Sequence, residues 1–203
     1  LTDPVMENLY ELTDFNPIGE NKKKTQIILS DTKRDYKNYI QSLRFRYNKK
    51  NPYLPHYIIS KDGSVYNIID PKMYSNYMEN ENYDKKSIII CLENFGWLKK
   101  NTLDSSYSNW IGDIYKKKVY EKKWRGHFFW DKYEDKQIVS LTMLIKELCT
   151  KFKIPNECLG HNVRQDGVEN FKGIVTRSNY DSYYKDVNPA FDFKLLKELL
   201  END

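Results

Sequence analysis

Phe171-Lys172-Gly173-Ile174-Val175-Thr176-Arg177-Ser178-Asn179-Tyr180-Asp181-Ser182-Tyr183-Tyr184-Lys185-Asp186-Val187-Asn188-Pro189-Ala190-Phe191-Asp192-Phe193 is the stretch on which the reading of this chain turns. A glycine leads into a short β-type run, Gly173 to Val175, which predicts a strand. A polar loop follows, and Asp186-Val187-Asn188-Pro189 then opens onto a final helix expected from Lys194 to Leu200.

Working outward, the upstream elements have clearer periods. Ile138, Leu141, Ile145, Leu148 and Phe152 recur at helical spacing. They predict a core helix capped by Glu134 or Asp135 and ended by Pro155. Ser87 to Asn94 is a nearly continuous apolar run, as expected of a strand covered on both faces. From His56 to Asp70, two β-type runs flank Asp62-Gly63, the signature of a hairpin. Tyr36, Tyr39, Ile40, Leu43 and Tyr47 share one face of a helix expected from about Asp35, with Asp31-Thr32 as its cap. Gln26 to Ser30 reads as the first central strand, and residues 1–24, with Pro4, Pro17 and Lys22 to Lys24, as an N-terminal arm. Residues 99–134 are Lys- and aromatic-rich and read as a long insertion, an irregular hairpin packing over a groove. The order implies an α/β domain over residues 25–203, a mixed central β-sheet flanked by helices.

A chain of 203 residues suits one such domain. Its 17 Tyr compensate for few aliphatics and suit a polar groove as well as a core. The net charge of +4 comes from 33 basic residues interleaved with 29 acidic ones, so nucleic acid is not an expected partner. The 3 cysteines, Cys91, Cys149 and Cys158, form no C-x-x-C pair and read as buried thiols of a protein made in a reducing cytosol. No apolar run is long enough for a membrane span, and no signal segment begins the chain. It opens on Leu1 rather than Met, as expected where residues precede it. The Lys, Asn, Ile and Tyr bias is that of an AT-rich genome.

Four landmarks, in order, resemble the type 2 N-acetylmuramoyl-L-alanine amidases, a family that includes phage lysozyme-type amidases and peptidoglycan recognition proteins. They are Ile27-Ile28-Leu29-Ser30-Asp31-Thr32, the hairpin beginning His56-Tyr57, Ser87 to Asn94 followed by Gly96-Trp97, and Arg177-Ser178-Asn179 with Asp186 before Pro189. Together they cover roughly residues 26–200. The resemblance implies a zinc ion that lowers the pKa of a bound water and polarises the amide between N-acetylmuramic acid and L-alanine.

Carried over position by position, the site departs from that pattern. Ser30 stands where the first metal His would be, and a neutral hydroxyl is a poor zinc ligand. Arg177 stands where the second would be, and it has no lone pair to give. Asp186 alone is retained. The family's catalytic Glu falls on Cys91 and its Lys on Tyr184, with Lys185 one position late. No cofactor is therefore expected, and Asp186 is the natural bidentate partner of Arg177. The bland alternative makes Arg177 an unpaired loop residue. The rival alternative rebuilds a zinc site from His161 and Asp186, but the spacing argues against it. His56, Glu93, Asn94 and Asn179 join Ser30, Arg177 and Asp186 as expected groove residues, with His127 solvated in the insertion. Cys91 is expected as a buried thiol, since nothing in the sequence marks a base beside it. The expected role is a non-catalytic module that binds peptidoglycan or another protein of the same assembly, such as a phage particle. The alternative is an active amidase with displaced ligands.

Overall fold

The structure, a computed structural model, describes residues 8–48 and 53–202, without the side chains of residues 46–48. Residues 1–7 of the expected arm, with Pro4, and the Tyr47 side chain lie outside the described residues. The chain runs through β1 (Leu9–Glu11), β2 (Gly19–Glu20), β3 (Gln26–Asp31), α1 (Tyr36–Asn48), β4 (Tyr57–Ile59) and β5 (Val65–Asn67). Then come β6 (Met73–Tyr74), α2 (Glu81–Lys86) and β7 (Ser87–Leu92). The aromatic-rich segment supplies β8 (Trp97–Lys100), β9 (Tyr107–Ser108), β10 (Ile114–Tyr115), β11 (Tyr120–Trp124) and β12 (His127–Trp130). Finally, α3 (Asp135–Phe152), β13 (Gly173–Thr176) and α4 (Phe193–Glu201) complete the domain.

The central sheet has six strands in the order β1-β5-β4-β7-β3-β13. β4, β7, β3 and β13 are mutually parallel, while β5 runs antiparallel to β4 and parallel to β1. β3 and β7 are buried along their whole length, which is why Ile27 to Leu29 and Ile88 to Leu92 read as continuous apolar runs rather than alternating ones. Alternate residues face opposite layers. Ile27, Leu29, Ile88 and Ile90 pack against Leu141, Ile145 and Leu148 of α3 and Leu196 of α4. Ile28, Ile58, Ile89 and Cys91 pack against Tyr39, Ile40 and Leu43 of α1. The parallel strands end together, Thr176, Asp31 and Leu92 at one edge, and this is where open α/β sheets bind ligands.

Local chemistry explains the boundaries. Asp35, not Asp31-Thr32, caps α1, its Oδ1 accepting from Asn38 N at 2.9 Å. Asp31 and Thr32 are buried at the strand end instead. Glu134 begins α3 in a reciprocal capping box with Gln137. At the hairpin turn Gly63 has φ 86°, and α3 lies so close that an added Cβ would stand 3.0 Å from the Lys136 carbonyl. Part of the lead-in is tied down: Leu9–Glu11 adds an edge strand beside β5, and Gly19–Glu20 pairs with β6. The insertion is a second, five-stranded antiparallel sheet, more regular than a single irregular hairpin. Trp130 is its fully buried anchor, donating from Nε1 to Lys122 O at 2.8 Å.

The sequence gives no period for α2, which Asn80 caps by accepting from Tyr83 N. Its Asp84 is buried, with Oδ1 accepting from Met78 N at 2.9 Å and Oδ2 without a hydrogen bond. Burial, opposed by backbone N–H groups and by Lys24, pushes its pKa up from 3.8 to about 6. A raised carboxyl contributes stability that is full below its unfolded pKa and lost as pH rises through the folded one. Asp84→Asn is expected to remove a loss of roughly 2–3 kcal/mol between about pH 4 and pH 7. Urea denaturation across that window checks it, and parallel curves for the two proteins would contradict it. A second expectation concerns Gly173, whose φ is 142° and whose missing Cβ would fall 2.3 Å from the Glu157 carbonyl oxygen. Gly173→Ala is expected to destabilise the domain by about 2–4 kcal/mol, read as a lowered Tm.

Candidate functional site

The site is assembled where β3 and β13 end. After Thr176 the chain makes one 3₁₀ turn, Arg177–Asn179, closed by Thr176 N donating to Asn179 Oδ1 at 2.8 Å. The end of the following loop is stapled beside this turn, because Ser178 donates to Asp186 O through both N and Oγ, each at 2.8 Å. That staple delivers the Asp186 side chain to the end of β3. There Oδ2 accepts from Ser30 Oγ and from Asp31 N at 3.2 Å. The Ser30 hydroxyl also meets Tyr77 OH at 2.6 Å, and Tyr77 OH lies 3.2 Å from Cys91 Sγ.

Arg177 and Asp186 form an ion pair, Nη1 to Oδ2, at 3.7 Å. This is a single loose contact rather than the bidentate pair expected from the sequence, and Oδ2 also accepts from two neutral donors. The guanidinium lies against two rings instead, 4.1 Å from the centroid of Tyr184 and 5.0 Å from that of Tyr77. Burial works against its charge, but Asp186 and then the tyrosines outweigh it and raise its pKa. Nearby, Asp31 receives Tyr133 OH at 2.8 and 2.7 Å. Burial and then the Asp186 charge raise the Asp31 pKa well above the usual carboxylate range.

In front of this cluster lies a cleft of about 750 Å³. It is lined by Asp31 to Arg34, by Trp97 and Trp110 of the second sheet, and by Tyr77, Glu79, Arg177, Tyr183 and Tyr184. Trp110 is fixed in place by Nε1 donating to Lys33 O at 2.8 Å.

Of the residues expected to line a groove, Arg177 does so, with Ser30 and Asp186 directly behind it. The others belong to the framework. His56 is buried, its Nδ1 accepting from Ile89 N and its Nε2 against Met73 O, and burial lowers its pKa to about 3. Glu93 braces α1 and the hairpin by accepting from Tyr36 N and Lys61 N. Asn94 accepts from Gly96 N, and Asn179 donates to His161 O and Val163 O. The His161 ring accepts from Val163 N at 3.1 Å. His127, expected in solvent, is stacked on Trp97 at 4.5 Å. Burial pushes the Cys91 thiol up to about 11, so it is a thiol and not a nucleophile at neutral pH. Among the cleft residues that sequence reasoning missed are Asp31, Lys33, Arg34, Tyr77, Glu79 and Tyr183. Asp31 had a signal, since it follows Ser30 at a strand end. Tyr77 had none, lying between landmarks.

The N-acetylmuramoyl-L-alanine amidase family matches residues 20–171 of this sequence. The chain belongs to that family. No curated protein matches it by sequence. Amidase structures match its fold. The amidase LysC from Clostridium intestinale URNW superposes with TM-score 0.59 at 12% identity, over 96% of this chain and 98% of LysC. Escherichia coli AmiD, solved with anhydro-N-acetylmuramic acid-L-Ala-D-gamma-Glu-L-Lys, gives 0.52 at 15% identity, over 90% of this chain and 59% of AmiD. Staphylococcus aureus AmiA gives 0.51 at 9% identity, over 98% and 83%. The sequence match stops before Arg177, whereas the fold match with LysC spans nearly the whole chain.

For this amidase-family domain, the side chains at the strand ends do not fit the zinc that the family resemblance implies. Beside Asp186 stand a hydroxyl already hydrogen-bonded on two sides and a guanidinium without a lone pair. Among the described residues no group of three or more His, Cys, Asp and Glu converges as a metal site.

One residue of the insertion is hydrogen-bonded to the loop that follows Arg177. Arg125, at φ 46° in the turn between β11 and β12, donates to the carbonyls of Asp181, Tyr184, Asn162 and Ser178. Trp124 covers it at 4.5 Å. Arg125→Ala leaves those carbonyls without their donor. It is expected to cost about 1–3 kcal/mol and to speed amide exchange over residues 178–186 more than over β3 or α3. Uniform exchange would argue against the clamp.

Proposed function

We propose that this amidase-family domain binds peptidoglycan without hydrolysing it and carries no catalytic zinc. The observation that supports this reading is the guanidinium of Arg177 beside Asp186. A fixed cation there opposes a divalent ion by like-charge repulsion and supplies no ligand in exchange. Neither Cys91 nor His56 supplies a nucleophile or base to the cleft. Cys91 is protonated and buried, and His56 is neutral and bonded within the core. Aromatic faces and cationic side chains line the cleft, alongside the carboxylates Asp31 and Glu79, and suit a polar wall ligand.

The protein expressed with added zinc is expected to hold far less than one zinc per chain by elemental analysis. It is expected to clear no peptidoglycan in a zymogram, with or without chelator, and to be retained on insoluble peptidoglycan. Stoichiometric zinc with chelator-sensitive clearing would establish the alternative, an active amidase with displaced ligands. Failure to be retained would leave a structural role, as in a phage particle, in place of wall binding.

A further inference from the structure

We propose that the cleft selects muramic acid from which the peptide has already been removed, holding the freed lactyl carboxylate against Arg177. This narrows the wall-binding reading above and rests on it.

The guanidinium of Arg177 donates no hydrogen bond to any described residue, its Nε is buried without a partner, and its nearest anionic oxygen is 3.7 Å away. On the same cleft, Arg34 Nε is also buried without a hydrogen bond, and its guanidinium lies 5.8 Å from the Trp110 ring. A planar cation with unused donors calls for a planar anion with two acceptor oxygens. An amide offers one neutral oxygen and is held less strongly. Hydrolysis of the bond for which the family is named leaves a carboxylate on the muramoyl side and an amine on the alanine side. The product therefore carries an anion where the intact wall carries a neutral carbonyl. Three cations, Lys33, Arg34 and Arg177, and two carboxylates, Asp31 and Glu79, line the cleft, so its balance of charge favours the freed carboxylate over the freed amine. Flanking walls suit the sugar, since Trp110 and Tyr183 are 47% and 79% exposed and can present ring faces to a pyranose.

The stem peptide also bears carboxylates, so the test separates the two sources. Glycan strands are compared before and after digestion with an active amidase, with binding to each measured by co-sedimentation. N-acetylmuramic acid, N-acetylglucosamine and the peptide L-Ala-D-gamma-Glu-L-Lys serve as competitors. Digested strands are expected to bind at least about tenfold more tightly, a difference of the size that a charge-assisted hydrogen-bonded pair contributes. Only N-acetylmuramic acid should compete. Arg177→Gln, checked by its thermal melt, should abolish the preference, and Arg34→Gln should reduce it. Equal binding to both strands overturns the proposal and leaves wall binding intact. Competition by the peptide alone overturns it in favour of a stem-peptide carboxylate. Binding to neither strand removes the wall-binding reading, and this one with it.

Discussion

A carboxylate buried at the ends of two parallel strands must find positive partners, because an unpaired charge out of water costs several kcal/mol. Asp186 finds three: the Ser30 hydroxyl, the Asp31 amide and, more loosely, the Arg177 guanidinium. Its second oxygen is buried with no hydrogen bond. Everything distinctive about the site depends on this arrangement. A zinc ligand set needs lone pairs converging on one point. Here two of the three groups around the carboxylate present hydrogens to it, and the third brings a permanent charge.

The fold was legible in the sequence because burial on both faces writes itself plainly. β3 and β7 are apolar runs, the Asp62-Gly63 hairpin carries its turn residues, and the stripe of α3 faces the sheet. The second sheet was not legible. β11 has an exposed, Lys-rich stretch, and β9 and β10 are two residues each, too short to show a period. In the site, the nearness of residues 177 and 186 followed from the loop that joins them. Its geometry did not follow, since the competing donors on Asp186 come from residues 155 and 156 positions away. His56, Glu93 and Asn94 stand in landmark segments, yet their hydrogen bonds show them holding strands and loops together. A landmark marks either a ligand or a brace, and spacing alone does not tell the two apart.

The insertion and the cleft are one mechanical unit. Trp110 is fixed to the Lys33 carbonyl on one side, and Arg125 gathers four carbonyls of the 160–186 loops on the other. Lys61 adds a tie from the hairpin turn to Asp131 at 3.0 Å. The second sheet thereby fixes the distance between the aromatic wall and Arg177. Rigidity of this kind favours recognition, because little side-chain freedom remains to be lost when a ligand arrives.

Stability does not explain the guanidinium of Arg177. A buried ion pair is often no better than a well-packed apolar pair, and worse when donors are left unused. Here the contact is loose, Nε is unsatisfied, and the two stacked tyrosines would pack as well against an apolar side chain. The Arg177 side chain is 18% exposed and lines the cleft. A cation that is mostly buried, incompletely bonded and open to a cavity is energetically sensible once an acceptor from outside completes it. The end of the sheet then presents a cation that is part of the chain itself.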